Sequence, residues 1–363
     1  VGKEKEKRVR SVLILVLFSF ARLALAHNRD GDLLKQAQEI FGPLPQVVFS
    51  EHNPVTPAKA TLGKALFYET RISVDGTVSC VRCHPFSLYG ADGLRKSIGH
   101  DAQRNPRNAP TVLNAAGQIS AHWIGNRKDV EDQAKQSVLG PASFGMPSYE
   151  AVERILRDIP GYESLFRRAF PREKEPVNIE NFAKAVGAFE RTLVTPSPFD
   201  AFMNGDQTAL TDLQKTGLKT FIETGCVICH AGAYVGGQMY EKFGVLEPYW
   251  RYTKSPEMEE GRYAVTKNEG DKYVFKVPGL RNVEMTSPYF HDGSVVPLSE
   301  AVRIMGQLQL GKILGGQQVE EIIVFLKSLT GRIPEEALRV PLLPPGERAL
   351  GLTKQAASGD PET

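Results

Sequence analysis

Apolar residues recur three and four positions apart along two long stretches of the chain. Phe182, Val186, Phe189 and Leu193 follow one helical face, and Val319, Ile322, Ile323 and Leu326 follow another. That spacing predicts amphipathic helices whose stripes face a core. Period-two alternation, which a half-buried strand would show, is scarce. Intervals punctuated by Pro and Gly, such as Tyr234 to Pro278, read as irregular connections. The pattern therefore predicts an all-α fold with long loops. Beyond Thr330, Pro and charge accumulate, and residues 332–363 are expected to form a C-terminal tail extended along the surface.

The first 26 residues follow a different pattern. Lys3, Lys5, Lys7, Arg8 and Arg10 precede the apolar run from Val12 to Phe20, and Ala24-Leu25-Ala26 closes the segment. Basic, apolar and small residues in that order predict a secretory signal over 1–26, cut near Ala26. As a membrane anchor the run is too short, and Arg22 interrupts it. Export to the periplasm is the expectation, with no membrane span after cleavage.

With 363 residues and 41% hydrophobic composition the chain is long enough for two domains, each with a core. Residues 1–26 hold six Lys/Arg and two Asp/Glu, so their removal takes the formal charge from +2 to −2. That charge excludes nucleic acid as a natural partner. Four cysteines in an exported chain would ordinarily suggest two disulfides. Their arrangement argues otherwise.

All four cysteines fall in two copies of one motif, Cys80-Val81-Arg82-Cys83-His84 and Cys226-Val227-Ile228-Cys229-His230. Cysteines three apart at a helix start project to one side, where each can form a thioether with a haem vinyl. The following histidine then meets the iron. Zinc would call for four ligands, with no evident fourth partner here, and a redox dithiol for a βαβ setting that the pattern lacks. Two covalently bound c-type haems are the cofactors expected, with His84 and His230 as proximal ligands.

The segments around the motifs look like diverged copies. Phe67-Tyr68-Glu69-Thr70 precedes the first and Phe221-Ile222-Glu223-Thr224 the second. Arg107-Asn108 and Arg281-Asn282 follow them, and then His122-Trp123-Ile124-Gly125 and Phe290-His291-Asp292-Gly293. Duplication predicts two cytochrome c-like domains, 27–190 and 191–331. Each iron still needs a sixth ligand or an open position. Excluding His27 at the expected new N-terminus, His52, His100, His122 and His291 remain, and pattern alone does not choose among them.

From about Leu33 to Gly331 the sequence resembles the bacterial dihaem cytochrome c peroxidases, the family that also contains the methylamine-utilisation dihaem enzymes. The resemblance rests on Leu62-Gly63-Lys64-Ala65-Leu66-Phe67, Ser97-Ile98-Gly99-His100 and the run Pro106 to Ala115. Thr195-Pro196-Ser197-Pro198-Phe199-Asp200 and Ser287-Pro288-Tyr289-Phe290-His291 add to it. It implies that His100 caps the iron of the first, peroxidatic haem at rest and swings away on activation. It likewise implies that Met305 is the sixth ligand of the second, electron-transferring haem, where thioether sulfur raises the potential.

The same resemblance implies Trp123 as the bridge between haems and Gln133 as a polar group in the peroxide pocket. It also implies a calcium ion held by Asn108, Thr286 and Pro288. Partners implied are hydrogen peroxide, a small cytochrome c or copper protein as donor, and a second copy of the chain in a homodimer. Two positions depart from the family. Ser143 stands where relatives carry an acid/base glutamate, and Ile124 where an aspartate usually follows the tryptophan. A hydroxyl is a poor proton shuttle at neutral pH. A water held by Ser143 and Gln133, or Glu150 from the next helix, could substitute. Two functions are therefore weighed: a peroxidase, and a dihaem protein that transfers electrons or oxidises a partner without efficient peroxide turnover.

Overall fold

A computed structural model describes residues 31–346. The expected signal segment 1–26 and the tail beyond residue 346 lie outside the described residues. The fold is mostly helical, as the periodicity predicts. The first group of helices is α1 (31–41), α2 (Pro57–Phe67), α3 (Val130–Ser137), α4 (Tyr149–Asp158), α5 (Tyr162–Ala169) and α6 (Ile179–Glu190). The second is α7 (Asp212–Thr224), α8 (Leu298–Leu310) and α9 (Gly316–Ser328), with several shorter turns between. Local chemistry fixes many of the helix starts. Thr56, Asp129, Ser148, Asn178 and Thr211 each accept a hydrogen bond from a backbone N–H of the helix they precede.

One stretch departs from the sequence expectation. The Pro- and Gly-rich interval from Tyr234 to Pro278 contains a two-stranded antiparallel ribbon, β1 (Tyr240–Lys242) with β2 (Val274–Lys276), and Tyr240 pairs with Lys276. Three-residue strands are too short for alternation to reveal.

Apolar side chains gather into three clusters. The first lies within α2 to α6 and includes Phe67, Val138, Ile155, Phe166, Phe182 and Phe189. The second joins α7 and α9 through Phe199, Phe221, Ile322 and Phe325. The third packs Phe243, Tyr249, Phe275 and Tyr289 against Ile304 and Leu308 of α8. Both predicted stripes are core. The first two clusters depend on a glycine at a helix crossing: a Cβ on Gly63 would fall 1.9 Å from the Ala185 carbonyl oxygen, and one on Gly217 would fall 2.0 Å from that of Glu321. Only hydrogen fits there.

The chain ends exchange places. Ala37 and Phe41 of α1 belong to the second cluster, whereas Ile333 and Ala337 belong to the first. The expected extended tail is thus docked as far as it is described. Residues Glu335–Leu338 form a helical turn, Tyr68 Oη donates to the Ala337 carbonyl (3.3 Å), and Arg71 donates to those of Pro344 (3.0 Å) and Gly346 (2.7 Å). Ile333 and Ala337 are anchored in the first cluster, and residues 339–346 run on as extended chain at the surface, in keeping with the composition.

Between the halves sits Thr195, fully buried. Its hydroxyl accepts from the Asn114 amide (2.7 Å) and the Asn282 amide (3.0 Å), and its N–H donates to Asn114 Oδ1 (3.0 Å). Asn282 Oδ1 in turn accepts from Gly331 N–H (2.9 Å). Thr195→Val would strand two buried amides. The expected loss is about 2 kcal/mol or more, read by chemical denaturation, with Thr195→Ser close to wild type.

Candidate functional site

Both Cys-x-x-Cys-His motifs open on one internal cavity. Cys80–Cys83 is a single helical turn that begins after extended Ser79. Cys226–Ile228 is a 3-10 turn after Gly225, whose φ of 97° ends α7 and reverses the chain. His84 Nδ1 lies 3.0 Å from the Gly90 carbonyl oxygen, whereas the buried Nδ1 of His230 has no hydrogen-bond partner among the described residues. A ring nitrogen tied to a carbonyl leaves the other free to act as a ligand.

The four thiols are free. Burial pushes Cys83 up to about 11 and Cys226 to about 12, and raises Cys80 and Cys229 as well. A reactive redox dithiol needs the opposite shift. Paired cysteines followed by a histidine, all facing one cavity, fit a covalently held haem at each motif. Two such motifs in a mostly helical fold define the class: a c-type cytochrome with two haems.

Most residues singled out from the sequence meet in this cavity. Trp123, Gln133, Ser143 and Met305 line it, as do Asn108, Thr286 and Pro288. Gln133 projects from α3, and Ser143 sits in the turn after it, its N–H bonded to the Gly140 carbonyl (2.9 Å). His100 is different. It does not line the cavity; its ring lies against Gly145, where a Cβ would meet Nε2 at 2.2 Å, and its N–H donates to the Ser143 carbonyl (3.0 Å). Glu150 does not reach in from the next helix, for it is exposed on the first turn of α4.

The Trp123 segment is a hairpin closed by a bridge between Ala121 and Arg127. The indole N–H donates to the Asn108 carbonyl (3.0 Å), and the Trp123 carbonyl accepts from the Lys276 N–H (2.7 Å). Tyr240 Oη donates to Ser120 Oγ (2.7 Å), Arg262 lies over the Tyr240 ring at 3.9 Å, and Arg262 also donates to the Ile124 carbonyl (3.2 Å). A second hairpin, closed between Tyr289 and Val295, puts buried His291 where Trp123 stands in the first. His291 stacks on Phe275 at 4.3 Å. The proposed match of Arg107-Asn108 to Arg281-Asn282 does not hold spatially. Asn282 corresponds to Asn114, since both are left-handed and each begins a 3-10 turn. Arg107 instead pairs with Glu259 (2.6 Å), and Arg281 with Asp200 (2.7 Å).

Sequence reasoning missed several charged residues on the cavity wall, Glu241 among them. Glu190, 3% exposed, is pushed up to about 8 by burial. Lys276, 7% exposed, is brought down to about 8 by the same cause. Arg127 has a buried Nε without a hydrogen-bond partner. A basic or acidic residue inside an otherwise apolar segment, as in Val274-Phe275-Lys276-Val277, was the available signal.

The family model of di-haem cytochrome c peroxidases matches residues 57–208. Cytochrome c551 peroxidase of Pseudomonas aeruginosa is 44% identical over 314 residues, covering 85% of this chain and 89% of that protein. Methylamine utilization protein MauG of Methylorubrum extorquens is 36% identical over 252 residues, 69% of either chain. A solved structure of a MauG-like protein associated with microbial copper homeostasis superposes with a TM-score of 0.74 at 25% identity, covering 82% of this chain and 97% of the other. The chain belongs to the di-haem cytochrome c peroxidase family.

The close seat of His100 gives a direct test. Gly145 has φ of 69°, so Gly145→Ala both strains the backbone and displaces the imidazole. A loss of about 1–3 kcal/mol on denaturation is expected, together with a shifted His100 ring resonance in the NMR spectrum.

Proposed function

We propose that this protein reduces hydrogen peroxide to water with electrons from a small cytochrome c or copper protein. Cys80, Cys83 and His84 would hold the haem at which peroxide is reduced. Cys226, Cys229 and His230 would hold the haem that accepts electrons, with Met305 available to it from the same cavity. The observation that carries this reading is the asymmetry of the cavity. Met305 faces it, as do Gln133 and Ser143, whereas the His100 ring is turned to Gly145 and does not.

Bound at the two motifs, haem iron would supply the redox chemistry and the site for peroxide oxygen. The chain's own residues do the rest. The Gln133 amide donates a hydrogen bond to a peroxide oxygen and orients it. Ser143 holds a water through which a proton passes from the inner to the outer oxygen. The loop after His100 supports a swinging histidine, because Asp101 and Ala102 both occupy the left-handed region (φ 49° and 54°) that costs non-glycine residues energy. Trp123, fixed through both its indole and its carbonyl, bridges the two halves. Asn108, Thr286 and Pro288 hold calcium through neutral oxygens. No cluster of three or more His, Cys, Asp or Glu suited to a metal exists among the described residues, so the ion is expected to bind weakly.

The sequence supports export to the periplasm after cleavage near Ala26 and descent from an internal duplication, and the family resemblance implies assembly as a homodimer. Among the described residues no helix is long and apolar enough to cross a membrane. Ser143 and Ile124, in place of two family carboxylates, favour a second reading, in which the haems transfer electrons or oxidise a partner and peroxide turns over poorly.

Steady-state oxidation of a reduced cytochrome c by peroxide separates the two. Turnover by the fully reduced protein with calcium is expected, and its absence favours the second reading. General acid/base help is worth about 100- to 10,000-fold in rate. Ser143→Glu is therefore expected to raise kcat/KM for peroxide by about 100-fold or more.

A further inference from the structure

Two cations on the cavity wall have no anion. Lys276 Nζ donates to Gln118 Oε1 and to the Ser120 carbonyl (2.9 Å), both neutral acceptors, which leaves one of its three N–H groups over. Arg127 donates from NH1 to the Asn126 carbonyl (2.7 Å), and its buried Nε has no partner. Neither has an ion-pair partner among the described residues, whereas Arg107, Arg191 and Arg281 each sit on a carboxylate. A buried charge is costly unless paired. Because both residues face the cavity, the missing anions belong to its occupant.

The occupants in this family, c-type haems, are held at one edge by thioethers and carry two carboxylates at the edge opposite. The surroundings divide the two cations between the motifs. Gln118, which holds Lys276, packs against Gly237 and Gly279, and the neighbouring Gly236 abuts His230. Arg127 belongs with the first motif: it closes the hairpin through Ala121 and leads directly into α3, whose Ala134 lies in the cluster against which Cys80 packs.

We propose that Lys276 binds a carboxylate of the second haem and Arg127 one of the first, so that ion pairs bracket the Trp123 hairpin on both sides once the haems are attached. The assignment rests on the haem placement given above. Lys276 then has a double task. Its backbone N–H holds the Trp123 carbonyl, while its ammonium compensates a haem carboxylate that would otherwise disfavour the added electron. It is a positioning and potential-setting residue.

Redox titration of the holoprotein, without peroxide, tests this independently of turnover, after haem content has been measured in each variant. Lys276→Met is expected to shift the reduction equilibrium of the Met-ligated haem about tenfold toward the oxidised form, about 59 mV for one electron. Lys276→Arg should restore it to within about threefold of wild type, because Arg keeps the charge. Arg127→Gln should act on the other haem. The propionate bending bands of the wild-type resonance Raman spectrum should also shift in D2O, as the ammonium protons exchange. Unchanged potentials in Lys276→Met overturn the proposal. Should that variant fail to accumulate, propionate bands indifferent to D2O overturn it instead. A protein with two haems and no peroxidase turnover would sink the functional reading and leave this one standing.

Discussion

The fold hangs on one buried hydroxyl. Thr195 accepts from Asn114 on one side and Asn282 on the other, and each asparagine begins the turn that leads toward a cavity-lining hairpin. The relative placement of the two hairpins, and so of Trp123 and His291, is transmitted through these amides. The adjoining packing leaves no slack, since a Cβ on Gly331 would fall 2.1 Å from the Thr195 carbonyl oxygen. Directional bonds in a dry site hold an angle better than apolar contact can, because they lose their full value when misaligned.

Around that joint the protein places its charges by two rules. Structural charges are paired: Arg281 with Asp200, Arg191 with Glu131, and Glu69 with Arg71 and Tyr162. On the cavity wall Lys276 and Arg127 break the rule. Unpaired charge in a low dielectric is tolerated where a ligand completes it. The departure therefore separates what the chain needs for its own stability from what it provides for its occupants.

Much of this was legible in the sequence. The helical stripes at 182–193 and 319–326 are core because a 3.6-residue period survives in the residue order. The convergence of Cys80, Cys226, Trp123, Gln133 and Met305 on one cavity followed from motifs and family likeness. What stayed hidden was long-range. The lysine inside the apolar run Val274 to Val277 was a local signal, but the three-residue ribbon that turns Lys276 to the cavity was not legible. The Asn114 to Asn282 match was masked by the more obvious Arg-Asn pairs. The seat of His100 depends on a glycine 45 positions away. Which two apolar residues of the tail find a socket was not legible either, because composition records polarity and not partners.

The exchanged chain ends bear on the order of events during synthesis. The first motif and most of its core emerge early, but Ile333 and Ala337, which complete that core, are made only at the end. Conversely, α1 is made first and waits for α7 and α9 before Phe41 has anything to pack against. Each cluster is thus completed by a segment drawn from the far side of the other, so that loosening either segment would open the core behind the motif most distant from it in sequence.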